Sequence, residues 1–237
     1  MNFQNKVFEE LGITLSEKQI KLFEDYFDFL IMSNKVTNLT RIVEKEEVYY
    51  KHFFDSLTVT KIVDFNKTIN LADLGSGAGF PGIPLKIAFP HLKITLIDSL
   101  GKRTSFLKKL VDHLNLDHIE IINARAEEYA KTAINKFDLV IARAFSKIQI
   151  FLELAFPIAK EKGYLLAMKG NNYTEELKKS QQIREKTKLL VVKTEKLDLP
   201  FGYGERTNIL FQKTKHVAGY PRRYSVILKE ATSNCDI

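Results

Sequence analysis

Two rhythms of apolar residues divide the chain. Over the first 66 residues the apolar positions recur at helical spacing: Phe3, Val7, Phe8 and Leu11, then Ile20, Phe23, Phe27 and Leu30 behind a Ser16-Glu17-Lys18-Gln19 capping box. After Glu44 the same spacing returns in Val48, Phe54, Leu57 and Ile62, and it stops at Asp64-Phe65-Asn66. This predicts a helical cap, residues 1–66, packed on the remainder of the chain. From Thr68 the rhythm changes to apolar runs bounded by turn residues and alternating with amphipathic stretches, the pattern of a parallel sheet with crossover helices. Strands are expected at 69–74, 93–98, 119–123, 137–142 and 163–168, with helices at 81–89, 102–115, 125–133 and 147–159 between them. A helix at 174–187 then leads to strands Leu189–Thr194 and Thr207–Lys213, joined through the turn Pro200-Phe201-Gly202-Tyr203-Gly204. Five parallel strands closed by an antiparallel pair make a seven-stranded, Rossmann-like α/β unit over residues 67–215, and residues 216–237 are expected to form a basic, loosely ordered tail.

Composition sharpens this picture by exclusion. With 237 residues, 45% of them apolar and 27% charged, the chain is long enough for a sizeable core and has no apolar run near the ~18 residues of a membrane span. Acids rather than an apolar segment follow the start Met1-Asn2-Phe3-Gln4-Asn5-Lys6, so no secretory leader, no membrane partner and a cytoplasmic location are expected. A lone cysteine, Cys235, excludes a disulfide framework and a paired-cysteine metal site. The histidines, His52, His91, His113, His118 and His216, never fall at the i, i+4 spacing of helical ligands, and no metal is expected. Charge is unevenly placed: residues 1–159 hold 20 basic and 20 acidic side chains, so the whole excess of +7 lies in the last third. A neutral body with a basic end points to a polyanion partner, RNA, DNA or a membrane surface, although a lysine-rich genome would leave the same mark.

The strongest local signal is Leu71-Ala72-Asp73-Leu74-Gly75-Ser76-Gly77-Ala78-Gly79-Phe80-Pro81-Gly82, at the carboxyl end of the first expected parallel strand, where open α/β sheets bind ligands. Gly75, Gly77 and Gly79 let the backbone turn and approach a ligand closely. Their G-x-G-x-G spacing is one residue shorter than the dinucleotide fingerprint, and Asp73 stands two residues ahead of it. This combination favours S-adenosylmethionine over NAD: the ligand has no pyrophosphate, and its ammonium suits a strand-end carboxylate such as Asp73. Asp98 closes the second strand, where a carboxylate can accept both ribose hydroxyls. After the third strand, Asn123-Ala124-Arg125-Ala126-Glu127-Glu128 places backbone N–H groups of Ala126 and Glu127 within reach of an adenine edge; as a plain helix start it would carry acids at its positive end.

Absences narrow the chemistry. The fourth strand ends in Ile141-Ala142-Arg143-Ala144-Phe145 with no proline pair to hold an exocyclic amine, and carbon methylation of a pyrimidine needs a cysteine nucleophile. A ring nitrogen with a free lone pair, such as guanine N7, needs neither, since it attacks the methyl in line. Arg143 can stack on the base, donate to its acceptors or pin a cofactor carboxylate, and a positioning role is expected of it.

Taken together, these residues resemble the ribosomal RNA small subunit methyltransferase G family, also called glucose-inhibited division protein B. The likeness runs in order through Asn38-Leu39-Thr40, His52-Phe53-Phe54-Asp55-Ser56-Leu57, the glycine loop with Phe80-Pro81-Gly82-Ile83-Pro84, Asp98-Ser99-Leu100-Gly101-Lys102-Arg103, Arg143-Ala144-Phe145, Lys169-Gly170 and Gly204-Glu205-Arg206. The resemblance implies a class-I methyltransferase that uses S-adenosylmethionine to methylate N7 of one guanine in the decoding-region loop of 16S ribosomal RNA, free or within the small subunit or its assembly intermediate. It implies cofactor contacts from Gly75, Phe80, Ala126, Glu127 and Arg143, and an RNA-facing pair in Lys102 and Arg103. Arg222 and Arg223 resemble the family's basic tail, whereas Tyr224-Ser225-Val226-Ile227-Leu228 departs from its usual continuation. A monomer is expected, with His52 and Asp55 as a buried structural pair. The competing readings are a small-molecule methyltransferase on the same sheet and a non-catalytic RNA-binding regulator with a vestigial glycine loop.

Overall fold

The computed structural model describes residues 3–67, 70–171 and 173–233; the expected strand start at 69 and Cys235 lie outside the described residues. The chain opens with helices α1 (Phe3–Leu11) and α2 (Glu17–Thr37). A winding helical segment comes next: α3 (Lys45–Val48), a π-helical turn Tyr49–Phe54, α4 (Asp55–Leu57) and a 3-10 turn Thr58–Lys61. Ser16 caps α2 as the sequence predicts, its hydroxyl accepting from the Gln19 N–H at 3.3 Å while the Gln19 side chain accepts from the Ser16 N–H at 2.9 Å. The Gln19 amide goes further and donates to the Ile87 and Ala88 carbonyls, fastening α2 to the next layer.

Strand β1 (Asn70–Leu74) begins the sheet, and α5 (Gly82–Ala88), β2 (Lys93–Asp98), α6 (Gly101–His113), β3 (Ile119–Asn123), α7 (Ala126–Thr132), β4 (Phe137–Arg143), α8 (Ile148–Ala155) and β5 (Ala159–Lys169) alternate after it. Then come α9 (Tyr173–Lys179), α10 (Gln181–Thr187), the β6 (Leu189–Asp198) and β7 (Glu205–Lys213) pair, and α11 (Tyr224–Ser233). The strands lie in the order β3-β2-β1-β4-β5-β7-β6, parallel through β5 and antiparallel at β7 and β6. The order reverses between β1 and β4, so the crevice for a ligand opens above their carboxyl ends.

One sheet face packs with the N-terminal helices: Phe23, Tyr26, Phe53 and Leu57 share a single apolar cluster with Leu71, Ile83, Leu96, Leu107, Ile141 and Leu166. The opposite face buries Ala72, Val140, Leu165 and Phe211 in one apolar cluster with Tyr129 of α7, Phe151 of α8 and Ile227 of α11.

Three expectations are corrected. The helix expected at 147–159 ends at Ala155, and β5 starts at Ala159, which pairs with Phe137; the register then shifts, so that the charged Lys160-Glu161-Lys162 run bulges out before Tyr164 pairs with Leu139. The helix expected at 174–187 breaks at Ser180 into α9 and α10. Where a loosely ordered tail was expected, α11 forms, and its Ile227 and Ala231 are buried in the core of the second face. The physical reason is visible in the spacing: Ile227 and Ala231 lie one helical turn apart, so a short helix can present both to the same cluster.

Candidate active site

The glycine loop is fixed by backbone bonds that only a glycine-rich turn permits. The N–H groups of Gly75 and Ser76 both donate to the Ile97 carbonyl at 2.8 and 3.1 Å, and the Gly79 N–H donates to the Ser76 carbonyl at 2.7 Å. Gly75 has φ +74°, and a Cβ there would sit 2.5 Å from the Phe145 ring. Gly79, at φ +103°, lets the Tyr26 hydroxyl approach so closely that a Cβ would lie 2.8 Å from it. That hydroxyl donates to the Ala78 carbonyl, so a side chain of α2 holds the loop from behind. Gly77 (φ +59°) is different: a Cβ there would meet nothing closer than 3.9 Å, which leaves the space in front of it open.

Two carboxylates stand at the loop, as the sequence places them. Asp73 is fully buried; its Oδ2 accepts from the Gly82 N–H at 2.9 Å, and its Oδ1 has no hydrogen-bond partner among the described residues. Burial pushes its carboxyl up to about 8, against the lowering effect of the Gly82 N–H and the Arg143 charge. Asp98 accepts from the Gly77 N–H at 2.9 Å, from the Leu100 N–H at 2.9 Å and from the Arg103 guanidinium at 3.3 Å. It therefore braces the loop it was expected to face across the ribose. Glu127 accepts from Arg125 at 2.8 Å, and Ala126 opens α7; Glu128 and Tyr129 donate to the Arg125 carbonyl, while the N–H groups of Ala126 and Glu127 come before the first such bond.

Arg143, at the end of β4, meets residues that sequence reasoning set aside. Its guanidinium donates to the Lys51 carbonyl at 3.0 Å, to Asp55 Oδ2 at 3.0 Å and to His52 Nδ1 at 3.1 Å, and it lies 4.9 Å above the Phe80 ring. His52 Nδ1 also lies 3.0 Å from the Lys51 carbonyl, so a donor and an acceptor both face that nitrogen, while Nε2 lies 3.0 Å from the Thr40 hydroxyl. Burial first and the Arg143 charge second lower the His52 ring to about 3, so it stays neutral. Phe80, expected against the cofactor, is buried between the His52 ring at 4.6 Å and the Tyr26 ring at 5.5 Å.

Beyond Arg143 a cleft of about 480 Å³ opens over the ends of β4 and β5, lined by Ile42, Lys51, His52, Asp55, Ala144, Met168, Lys169, Tyr173, Glu176 and Arg206 among others. Arg206 reaches Asp55 Oδ1 at 3.1 Å, completing an Arg143–Asp55–Arg206 arrangement. The sequence offered motif fragments around Lys169 and Arg206 but no sign that Lys51 and Arg143, 92 positions apart, would meet.

The RNA-facing candidates separate. Lys102 is exposed on α6, while Arg103 turns inward to Asp98. Arg222 forks onto buried Glu153 at 2.7 Å and onto Glu230 at 2.7 Å, which raises its already high pKa, whereas Arg223 is exposed. Among the described residues no group of three acidic, histidine or cysteine side chains could hold a metal, and no helix is long and apolar enough to cross a membrane.

This sheet order, with the glycine loop at its switch point and Asp73 and Asp98 at adjacent strand ends, defines a Rossmann-like methyltransferase. A methyltransferase from Aquifex aeolicus described as S-adenosylmethionine-dependent shares the fold at a TM-score of 0.55 and 18% identity, over 77% of this chain and 97% of that one. The family profile described as rRNA small subunit methyltransferase G matches residues 19–205. A ribosomal RNA small subunit methyltransferase G of Onion yellows phytoplasma is 45% identical, covering 86% of this chain and 98% of its own. Its counterpart in Geobacillus thermodenitrificans is 44% identical over 92% of both. The chain belongs to this family, and with it to the S-adenosylmethionine-dependent methyltransferases.

Proposed function

We propose that the glycine loop and the cleft beside it form one active site, in which the loop holds S-adenosylmethionine and the cleft receives the target guanine. The observation that carries this reading is the buried Asp73 carboxyl, whose Oδ1 has no partner among the described residues at the carboxyl end of β1: a cationic group above the loop would satisfy it. In this reading Gly75, Gly77 and Gly79 admit the cofactor's backbone-like portion, Asp98 meets the ribose, and the N–H groups opening α7 at Ala126 and Glu127 meet the adenine. The cofactor supplies an electrophilic methyl on a sulfonium, and a guanine N7 lone pair accepts it with no proton to remove.

The protein's residues therefore position rather than exchange protons. Arg143, whose hydrogen bonds all run to groups of the N-terminal extension, keeps that extension on the end of β4 and so shapes the wall between loop and cleft. Phe80, under the guanidinium, supports that wall. A neutral His52 suits a site that needs no base. Lys102 and Arg223, exposed on the surface, are proposed to meet phosphates, and Arg103 and Arg222 to act through their acid partners. The enzyme is proposed to work in the cytoplasm as a monomer, on the small subunit or on its RNA during assembly.

The test is chemical. Small-subunit RNA methylated by the purified protein, digested to nucleosides and compared with synthetic standards by mass spectrometry, is expected to yield N7-methylguanosine. A methyl on an exocyclic amine, a ribose oxygen or a pyrimidine carbon would overturn the reading.

A further inference from the structure

The cleft over β4 and β5 is unevenly supplied with charge. Four of its lining side chains, Lys51, Arg143, Lys169 and Arg206, are cations, and two, Asp55 and Glu176, are carboxylates. Asp55 lies between two guanidiniums: Oδ2 accepts from Arg143 at 3.0 Å, and buried Oδ1 has the Arg206 charge at 3.1 Å without a hydrogen bond. Glu176 is only half engaged. Its Oε2 accepts from Lys169 Nζ at 2.7 Å and from the Ile148 N–H at 2.9 Å, and Oε1 has no hydrogen-bond partner among the described residues; the side chain is 27% exposed and belongs to the cleft lining. The two bonds to Oε2 hold the carboxylate and leave its other oxygen free to accept.

That arrangement answers a problem posed by the reaction. Guanine and adenine both present N7 as a bare acceptor, so the reacting atom itself carries no means of telling them apart. The O6 acceptor of guanine against the N6 amino donor of adenine gives one distinction beside N7, and the Watson–Crick edge gives a second: guanine offers N1–H and an amino group as donors there, and adenine a bare N1. A carboxylate oxygen favours the first pattern and repels the second, and a lysine beside it complements O6.

We propose that Glu176 is the residue that reads the target base as guanine, its Oε1 accepting from the N1–H and amino edge while Lys169, held by the same carboxylate, donates toward O6. The assignment rests on the cleft being the site of the target base. It adds a specificity-determining group that lies outside the glycine loop and outside the Arg143 cluster.

Inosine provides the test, because it keeps N7, N1–H and O6 and lacks only the amino group. Small subunits are reconstituted with 16S RNA carrying guanosine or inosine at the position the wild-type enzyme methylates, and kcat/KM is measured on each. The wild type is expected to lose roughly 5- to 100-fold on inosine. Glu176→Met, which removes the acceptors at similar length, is expected to lose at least that factor on guanosine and less on inosine, which keeps only N1–H for the carboxylate, so that the guanosine-to-inosine ratio falls toward one with S-adenosylmethionine affinity retained. Equal wild-type rates on the two substrates would overturn the proposal whether or not the variant folds. So would a variant that is slower on both but keeps the wild-type ratio, since that is the behaviour of a side chain that only props Lys169. Identification of the wild-type product on guanosine is independent of both outcomes: a product other than N7-methylguanosine would remove the site reading itself.

Discussion

At the scale of single residues, Asp73 makes the sharpest statement about ligand binding. Its carboxyl is raised to about 8 by burial, so near pH 7 most molecules carry it protonated. An ammonium placed against Oδ1 stabilises the carboxylate and drives that proton off. Cofactor binding at pH 7 is therefore expected to release protons, read by calorimetry in buffers of different ionisation heat, and the release should fade above about pH 9, where the free carboxyl is already ionised. Asp73→Asn should abolish the release and weaken binding by about 1–3 kcal/mol; an unchanged proton count in that variant would show that the ammonium lies elsewhere. The same shift sets a sign for stability. A carboxyl at 3.8 when exposed and about 8 when folded favours the folded state most below 3.8, and that contribution is lost as pH rises through about 8. The thermal midpoint of Asp73→Asn should accordingly gain on the wild type across that interval.

Arg143 behaves differently, because its contacts are internal. Removing it leaves the buried Asp55 carboxylate facing Arg206 alone and takes the guanidinium away from His52 Nδ1. Arg143→Ala is expected to slow methyl transfer by roughly 10²-fold through misplacement of the reactants. Since His52 is neutral and held near 3, the transfer rate of the wild type should show no histidine-like inflection between about pH 6 and 8. Single-turnover rates across that range are the measurement; a bell-shaped profile would reinstate a general base.

At the scale of elements, the N-terminal helices do more than cover the sheet. Tyr26 of α2 holds the glycine loop through Ala78, and the winding segment after α3 supplies His52 and Asp55 to Arg143, so both halves of the site lean on residues preceding the first strand. This explains which features could be read from sequence. The glycines, Asp73 and Asp98 were legible because each sits within a few residues of a strand end whose position the apolar runs define. The cleft was not, since its wall joins Lys51, Arg143, Lys169 and Arg206 from four separate elements, and only the folded sheet brings these together. The β5 start was hidden for a related reason: Lys160-Glu161-Lys162 has no strand-like composition and bulges from the ladder, and Ala159 ahead of it joins the sheet through its pairing with Phe137 of the partner strand. Helix α11 carried its own signal in Ile227 and Ala231, but a position near the chain end weighed against it. Its packing gives a direct check. Ile227→Ala removes a side chain only 3% exposed within the second apolar cluster, and denaturant unfolding should show a loss of about 2–5 kcal/mol. A change below about 0.5 kcal/mol, usual for a surface substitution, would return the tail to the loosely ordered class.

At the scale of the whole molecule, net charge and site geometry divide the labour of two adjacent residues. The sequence offered Lys102 and Arg103 as equivalent RNA contacts at the start of α6, yet one is exposed and the other is 3.3 Å from the Asp98 carboxylate that also accepts from the Gly77 N–H. Their charge reversals should therefore report on different parts of the complex. Lys102→Glu is expected to leave S-adenosylmethionine affinity unchanged, to lower affinity for small-subunit RNA and to flatten its dependence on salt, because fewer counterions are released per complex. Arg103→Glu sets a like charge beside Asp98, loosens the bond to the glycine loop and should weaken cofactor binding as well. Side-by-side calorimetry with the cofactor and a salt series of RNA binding separates the two. If both variants kept the wild-type cofactor affinity, the Arg103–Asp98 pair would have no part in the site. If Lys102→Glu kept the wild-type salt slope, the RNA would have to approach over another surface, and the basic last third of the chain, with Lys186, Lys188 and Lys196 exposed on α10, the turn after it and β6, is where that approach would next be sought.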